Sequence, residues 1–288
     1  MKYIYDLAGV KILLDLPFKL TVTEESVPFI KEVSKENELS YKMKFNFIPM
    51  QKISFVEAGG EWVENRYYIE EENLNHIYFS SVKGEKPYAH RILDKRNKKE
   101  IDVYFDENKV ENILYSHNIL DIMGIENILN ENKGFLLHSS FIRYKDEGVL
   151  FSAPSGTGKS TQADLWAEHF GAEILNGDKA GIRKKKDGFR VFGLPYAGTS
   201  GIYKKENTGL KSIVILRQAK ENRIERLSPV KALSAIYGET TVHRWDRDFA
   251  DSSLNILSQL VTEIPVYLLS CLPNREAAEL TRRKIYSI

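Results

Sequence analysis

Ser152-Ala153-Pro154-Ser155-Gly156-Thr157-Gly158-Lys159-Ser160-Thr161 is the stretch from which the rest of the chain can be read. The apolar run Gly148-Val149-Leu150-Phe151 leads into it, and a helical pattern, Gln162 to Phe170, leads out. A strand, a turn of small residues and a Gly-Lys-Ser that opens a helix make the context of a phosphate-binding loop. Glycine lets the backbone curl so that its N–H groups point at an anion. The free N–H groups at the start of a helix add partial positive charge. On this reading Ser155, Gly156, Thr157, Gly158, Lys159, Ser160 and Thr161 hold the phosphates of a nucleotide. Lys159 reaches the β- and γ-phosphates, the Ser160 hydroxyl takes a place on Mg²⁺, and Thr161 donates nearer the sugar. The first motif position is Ala153 instead of glycine, and the competing explanation is a chance strand–turn–helix match.

A length of 288 residues suits two domains or one large one. With 42% hydrophobic and 28% charged residues, the balance is that of a soluble globular protein. The 41 basic and 40 acidic residues nearly cancel, which leaves no electrostatic case for nucleic acid. Cys271 is alone, so it makes no internal disulfide and no zinc set, and reads as buried apolar filler. Asp6 interrupts the N-terminal apolar residues before a signal-peptide core forms. No run approaches the roughly 18 apolar residues of a membrane span, so a cytoplasmic protein is expected.

Residues 1–132 read as an antiparallel β-rich domain with linking helices. Tyr41-Lys42-Met43-Lys44-Phe45-Asn46-Phe47 alternates strictly. Strands are also expected at Lys11–Leu16, Trp62–Ile69, His76–Ser80, Tyr88–Leu93 and Ile101–Phe105, broken by turns such as Ala58-Gly59-Gly60. Val110 to Leu129 has helical spacing that Gly124 breaks or bends. Residues 133–288 read as a P-loop domain. Its expected strands are Phe135–Ile142, Gly148–Phe151, Ala172–Asp178, a hairpin of Gly181–Arg183 with Phe189–Phe192, Ser212–Leu216 and Ile264–Ser270. Its expected helices after the loop helix are Ser228–Tyr237, Asp251–Thr262 and Asn274–Ile285. Two basic runs, Lys95 to Lys99 and Lys184 to Lys186, read as solvated hairpin tips more readily than as binding sites.

Asp178 ends a strand 18 positions after Ser160, with one helix between, which brings that tip toward the loop. A carboxylate there can ligate Mg²⁺ or take a proton from an attacking hydroxyl; the alternative is a turn aspartate after Asn176-Gly177. His138 lies in the strand before the one that feeds the loop and either approaches the γ-phosphate or fills the core. The glycine-rich segment Gly193 to Lys205 offers Ser200 and Lys204 to a substrate, or is a surface loop. His243 and Arg244 either meet a substrate or cap the helix that follows.

Taken together, His138, Ala153 to Thr161, Asp178 and Pro195 to Ser200 resemble the C-terminal domain of HPr kinase/phosphorylase, over residues 135 to 288. That family shares its nucleotide-binding core with ATP-dependent phosphoenolpyruvate carboxykinase. The resemblance implies an α/β (α+β) fold in which an N-terminal antiparallel β domain precedes a P-loop nucleotide-binding domain. It implies that Lys159 and Ser160 bind phosphates and Mg²⁺, that Asp178 is metal ligand or catalytic base, and that His138 faces the reacting phosphate. Relatives phosphorylate serine on modified precursor peptides, so a peptide or protein serine hydroxyl is the implied partner, with a homo-oligomer left open. Two features depart from the pattern: Gly177-Asp178 stands where HPr kinases carry two adjacent aspartates, and the N-terminal β region does not resemble theirs. Two rival functions stay open, a nucleotide-binding regulatory or assembly protein and a small-molecule kinase.

Overall fold

The computed structural model describes residues 1–33, 40–49 and 59–287. Ala58 of the expected Ala58-Gly59-Gly60 break lies outside them. The chain separates into two compact units, Met1–Ile125 and Glu126–Ile288.

The first unit holds β1 (Lys2–Leu7), β2 (Val10–Asp15), β3 (Ile30–Glu32), β4 (Tyr41–Phe47), β5 (Glu61–Val63), β6 (Arg66–Glu70), β7 (Leu74–Phe79), β8 (Ala89–Asp94) and β9 (Glu100–Phe105). Among the described residues they form one sheet in the order β3-β1-β2-β4-β9-β8-β7-β6-β5. From β5 to β9 the expected antiparallel meander is present. The other half corrects the antiparallel reading, because β4 pairs parallel with both β2 and β9. Alternation of Tyr41, Met43 and Phe45 identifies a buried face; it carries no information about the direction of the neighbouring strand. The long segments on either side of β4 supply the crossovers that parallel pairing needs. Trp62–Ile69 is likewise two strands, turned at Glu64-Asn65 with Glu64 at φ 53°, and the Trp62 and Tyr67 rings meet across the hairpin at 5.2 Å.

Helix α1 (Ser116–Met123) stops at Gly124, whose φ is 65°, and α2 (Ile125–Glu131) follows at once. A Cβ on Gly124 would fall 1.6 Å from Arg91 Nη1, the atom that donates to the Ile122 carbonyl at 3.0 Å. Gly124 is therefore needed both for the left-handed cap and for the room it leaves a buried guanidinium.

The second unit continues with β10 (Gly134–Tyr144), β11 (Glu147–Ser152), α3 (Lys159–Phe170), β12 (Glu173–Asn176), β13 (Lys179–Lys185), β14 (Gly188–Gly193), β15 (Asn207–Gln218), β16 (Arg223–Arg226), α4 (Pro229–Glu239), α5 (Arg247–Glu263), β17 (Val266–Cys271) and α6 (Arg275–Tyr286). The sheet runs β11-β10-β13-β14-β15-β17-β16, with β12 on β10 and β11 also paired to β15. Pairings among β11, β10, β13, β14 and β15 thus close a circuit. The β10–β11 turn, Lys145-Asp146, has both residues at positive φ, as a two-residue hairpin of matching twist requires.

Successive strand residues point to opposite faces. Leu150, Ile213 and Val266 pack with Ala232 and Ile236 of α4 and Leu257 and Leu260 of α5. Val149, Phe151, Val214 and Leu269 pack with Ala163 and Trp166 of α3 and Ala278 of α6. Two helices on each face explain why Val149-Leu150-Phe151 and Ile213-Val214 read as unbroken apolar runs. The molecule is thus mixed α/β with two large sheets. No helix among the described residues is long and apolar enough to cross a membrane.

Candidate active site

β11 delivers the chain to the loop, and α3 starts at Lys159. Gly156 and Gly158 have φ of 77° and 117°, and a Cβ on either would meet nothing within 4 Å. Backbone curvature and an open concavity thus coincide at the residues where an anion would approach. Lys159 is buried, and its Nζ donates to the carbonyls of Ala153 at 2.9 Å and Pro154 at 3.4 Å. Burial holds its pKa below the usual lysine value; the charges of Glu239 and Asp178 act in the opposite direction, with smaller effect. Both carboxylates therefore lie within electrostatic reach of the loop lysine.

His138 sits between these two acids. Its Nε2 is 3.6 Å from Asp178 Oδ1 and its Nδ1 is 3.4 Å from Glu239 Oε2. Each group is placed by backbone. The Ser152 hydroxyl, at the end of β11, donates to the His138 carbonyl at 2.8 Å, which ties the histidine strand to the loop. Ser139 N donates to the Asp178 carbonyl at 2.9 Å, and the Asn176 side chain accepts from the N–H groups of Asp178 and Lys179. Glu239 is the last residue of α4. Thr240, next to it, bridges to Leu137, one residue before His138. Nothing in the local sequence marks Glu239: its proximity depends on how α4 docks on β10.

The expected substrate residues occupy different settings. Ser200 lies in a short 3-10 turn, Gly198–Ser200, laid over Gly177-Asp178. Its hydroxyl donates to the Ala197 carbonyl and accepts from Ile202 N. A Cβ on Gly177 would come within 1.7 Å of Ser200 Oγ, and one on Gly198 within 2.8 Å of Asp178 Cβ. A side chain at position 177 would therefore run into the exposed 198–200 turn. Lys204 pairs with Glu173 at 2.7 Å. His243 is buried, stacks on Phe249 at 4.5 Å between ring centroids, and faces Glu126 at 3.3 Å. Arg244 lies over the Tyr237 ring at 5.8 Å.

On the other side of the loop a cavity of about 410 Å³ opens among Thr161, Leu216, Gln218, Cys271, Leu272 and Pro273. It sits at the carboxyl ends of the parallel strands β15 and β17. Gln218 Nε2 reaches the Gly156 carbonyl at 3.4 Å and joins the cavity wall to the loop. Cys271 lines it with its thiol pKa pushed up by burial.

A family model described as SynChlorMet cassette protein ScmC matches residues 105–274, more than half of the chain. The chain belongs to the ScmC family. The match includes the loop, His138, Asp178, Glu239 and the cavity beside the loop. No curated protein gives a match. Among solved structures, the Hpr(Ser) kinase/phosphatase from Coxiella burnetii aligns at 11% identity and TM-score 0.31, covering 53% of this chain and 97% of that one. That likeness is too distant to transfer the role of any residue. No group of three or more His, Cys, Asp or Glu among the described residues forms a ready-made metal cage in this member of the family.

Proposed function

We propose that the chain is a Mg²⁺-dependent kinase that transfers the γ-phosphoryl group of ATP to a hydroxyl, a serine of a peptide or protein. The observation that carries the reading is the convergence of Lys159, at the start of the loop helix, with Asp178, His138 and Glu239. The 410 Å³ cavity beside the loop, apolar at Leu216, Leu272 and Pro273 and polar at Thr161 and Gln218, suits a nucleoside.

The donor set fits the metal. Mg²⁺ prefers oxygen ligands and is commonly held by one or two carboxylates with substrate phosphates completing the shell. Asp178 and the Ser160 hydroxyl would hold it together with the phosphates, and it would supply positive charge there; Glu239, across His138 from Asp178, stays outside that set. Lys159 exchanges its carbonyl partners for phosphate oxygens and stabilises charge that grows during transfer. Asp178 accepts the proton of the acceptor hydroxyl as that oxygen bonds to the γ-phosphorus and the bond to the β-phosphate oxygen breaks. His138 holds Asp178 and Glu239 in place from between. In this reading Glu239 meets the other ring nitrogen of His138 and fixes the imidazole from another element.

The rival reading, a nucleotide-binding protein without transfer, draws on Gly177; His138 held between Asp178 and Glu239 weighs against it. The description of the family as a cassette protein directs the search for the acceptor to products of neighbouring genes. Labelled ATP with those polypeptides tests the proposal. Label on a hydroxyl, lost in Asp178→Asn and Lys159→Ala, is the expected result. ATP binding with no transfer to any acceptor sinks the kinase, and transfer to free serine alone reassigns the acceptor.

A further inference from the structure

The second unit has another cavity, about 620 Å³, at the far end of β10, which carries His138, and of β13, which begins just after Asp178. Lys133 enters it just before β10, Lys184 and Lys185 at the end of β13, and Lys186 in the hairpin turn. Asn255 and Gln259, one turn apart on α5, form the opposite wall, and Gln259 Nε2 donates to Asn255 Oδ1 at 3.2 Å. No Asp or Glu is among its lining residues. Lys184, on the α5 face of β13 with its Nζ over the Phe189 ring at 4.6 Å, shares the concavity with Lys133 and Lys186. Lys184 is partly compensated by its ion pair with Glu263. Lys185, the next strand residue, turns to the other face, its Nζ over the Phe192 ring at 6.0 Å.

The sequence favours a solvated tip for Lys184 to Lys186, because a run of charges in a turn carries no sign of depth. The cavity wall from α5 adds that depth. The amide pair lies along the helix instead of closing around a point, which suits side chains presented in a row. We propose that this cavity binds acidic side chains of a polypeptide partner. That this partner is the phosphoryl acceptor rests on the kinase reading above. β10 and β13 pair from Gly134↔Arg183 to His138↔Lys179. Five residues at about 3.3 Å each place the lysines roughly 17 Å from the His138–Asp178 end. An acidic anchor must therefore stand at least about five residues from the reacting serine.

The test is fluorescence anisotropy with fluorescein-labelled octaglutamate, without nucleotide. Octaglutamate should bind and octaglutamine should not. Lys133→Gln/Lys184→Gln/Lys186→Gln should weaken binding at least tenfold, while Lys98→Gln/Lys99→Gln on the other unit leaves it unchanged. A photo-crosslinking octaglutamate on the unaltered protein should label α5 near Asn255 and Gln259, which reads the site without any variant. Equal binding by the triple variant, or labelling elsewhere, overturns the proposal. So does inorganic triphosphate that binds the same lysines as tightly as the peptide, since the cavity would then be a small-anion site. Calorimetry with ATP on the same protein separates the two ideas: ATP binding without peptide binding refutes the acidic cavity alone, and peptide binding without ATP binding refutes the kinase reading alone.

Discussion

Gly177→Ala probes the packing that gives this site its form. The added Cβ would stand 1.7 Å from Ser200 Oγ, 2.8 Å from Ser200 Cβ and 3.3 Å from the Ala197 carbonyl oxygen. Rotating the Ser200 hydroxyl aside breaks its bonds to the Ala197 carbonyl, 2.9 Å, and from Ile202 N, 3.2 Å. Each contributes about 0.5–1 kcal/mol at this exposure. Rotation does nothing for the Cβ–Cβ contact, so the 3-10 turn must also move. Overpacking of this kind costs about 1–3 kcal/mol, and we expect a loss of about 2 kcal/mol in urea unfolding. The cost should be shared with Ser200. Ser200→Gly removes both clashing atoms, so the double variant should recover at least about 1 kcal/mol relative to the sum of the singles. Strictly additive losses, or a Gly177→Ala variant as stable as the parent, would refute the claim that the turn excludes a side chain at 177. Gly177→Asp, with a larger side chain at the same Cβ position, should fare no better than alanine.

Lys159→Met should lower ATP affinity about 10–100-fold by calorimetry, the loss expected for one charge-assisted contact. Its stability without ligand should change little, because two lost carbonyl contacts are offset by relief from burying a charge. Glu239→Gln keeps shape and removes charge. Because Glu239 fixes His138, the variant should lower transfer at saturating Mg²⁺ and leave ATP affinity unchanged; an unaltered transfer rate would remove Glu239 from the site. In the first unit, burial and then the neighbouring His76 push the His90 pKa from 6.5 down to about 4. The unfolded chain then binds the proton that the folded one refuses, so stability falls as pH drops from about 6.5 to about 4, by up to about 3 kcal/mol. Denaturant melts at pH 7 and pH 4.5 on the parent and His90→Gln check this, and the variant should lose much of the difference.

The legible parts of the molecule are those encoded locally. Ser228-Pro229 marks the start of α4 and Asn274 that of α6, where its side chain accepts from Ala277 N. Apolar runs mark β11 and the centre of β15. The illegible parts depend on pairing over distance. β4 alternates in the same way whether its neighbours run parallel or antiparallel. Short polar strands such as β16, Arg223–Arg226, show almost no periodicity because pairing to β17 makes them strands. The Glu64-Asn65 turn lacks the glycine that would have announced a hairpin, so β5 and β6 read as one element.

The same distinction explains the candidate site. Lys159 and the loop glycines follow one another in the chain, so local spacing is enough to find them. Asp178 is separated from them by one helix and one strand, and chain order suffices to suggest that it returns. Glu239 is 61 positions beyond Asp178. It comes to His138 only because Thr240 and Thr241 lie along β10, bridging to Leu137 and bonding to the Leu136 carbonyl. Glu239, supplied from the end of a helix, and Asp178 thus flank the histidine from two elements. On the kinase proposal the orientation of His138 depends on the docking of α4, so a substitution that loosens α4 from β10 should lower transfer before it lowers ATP affinity.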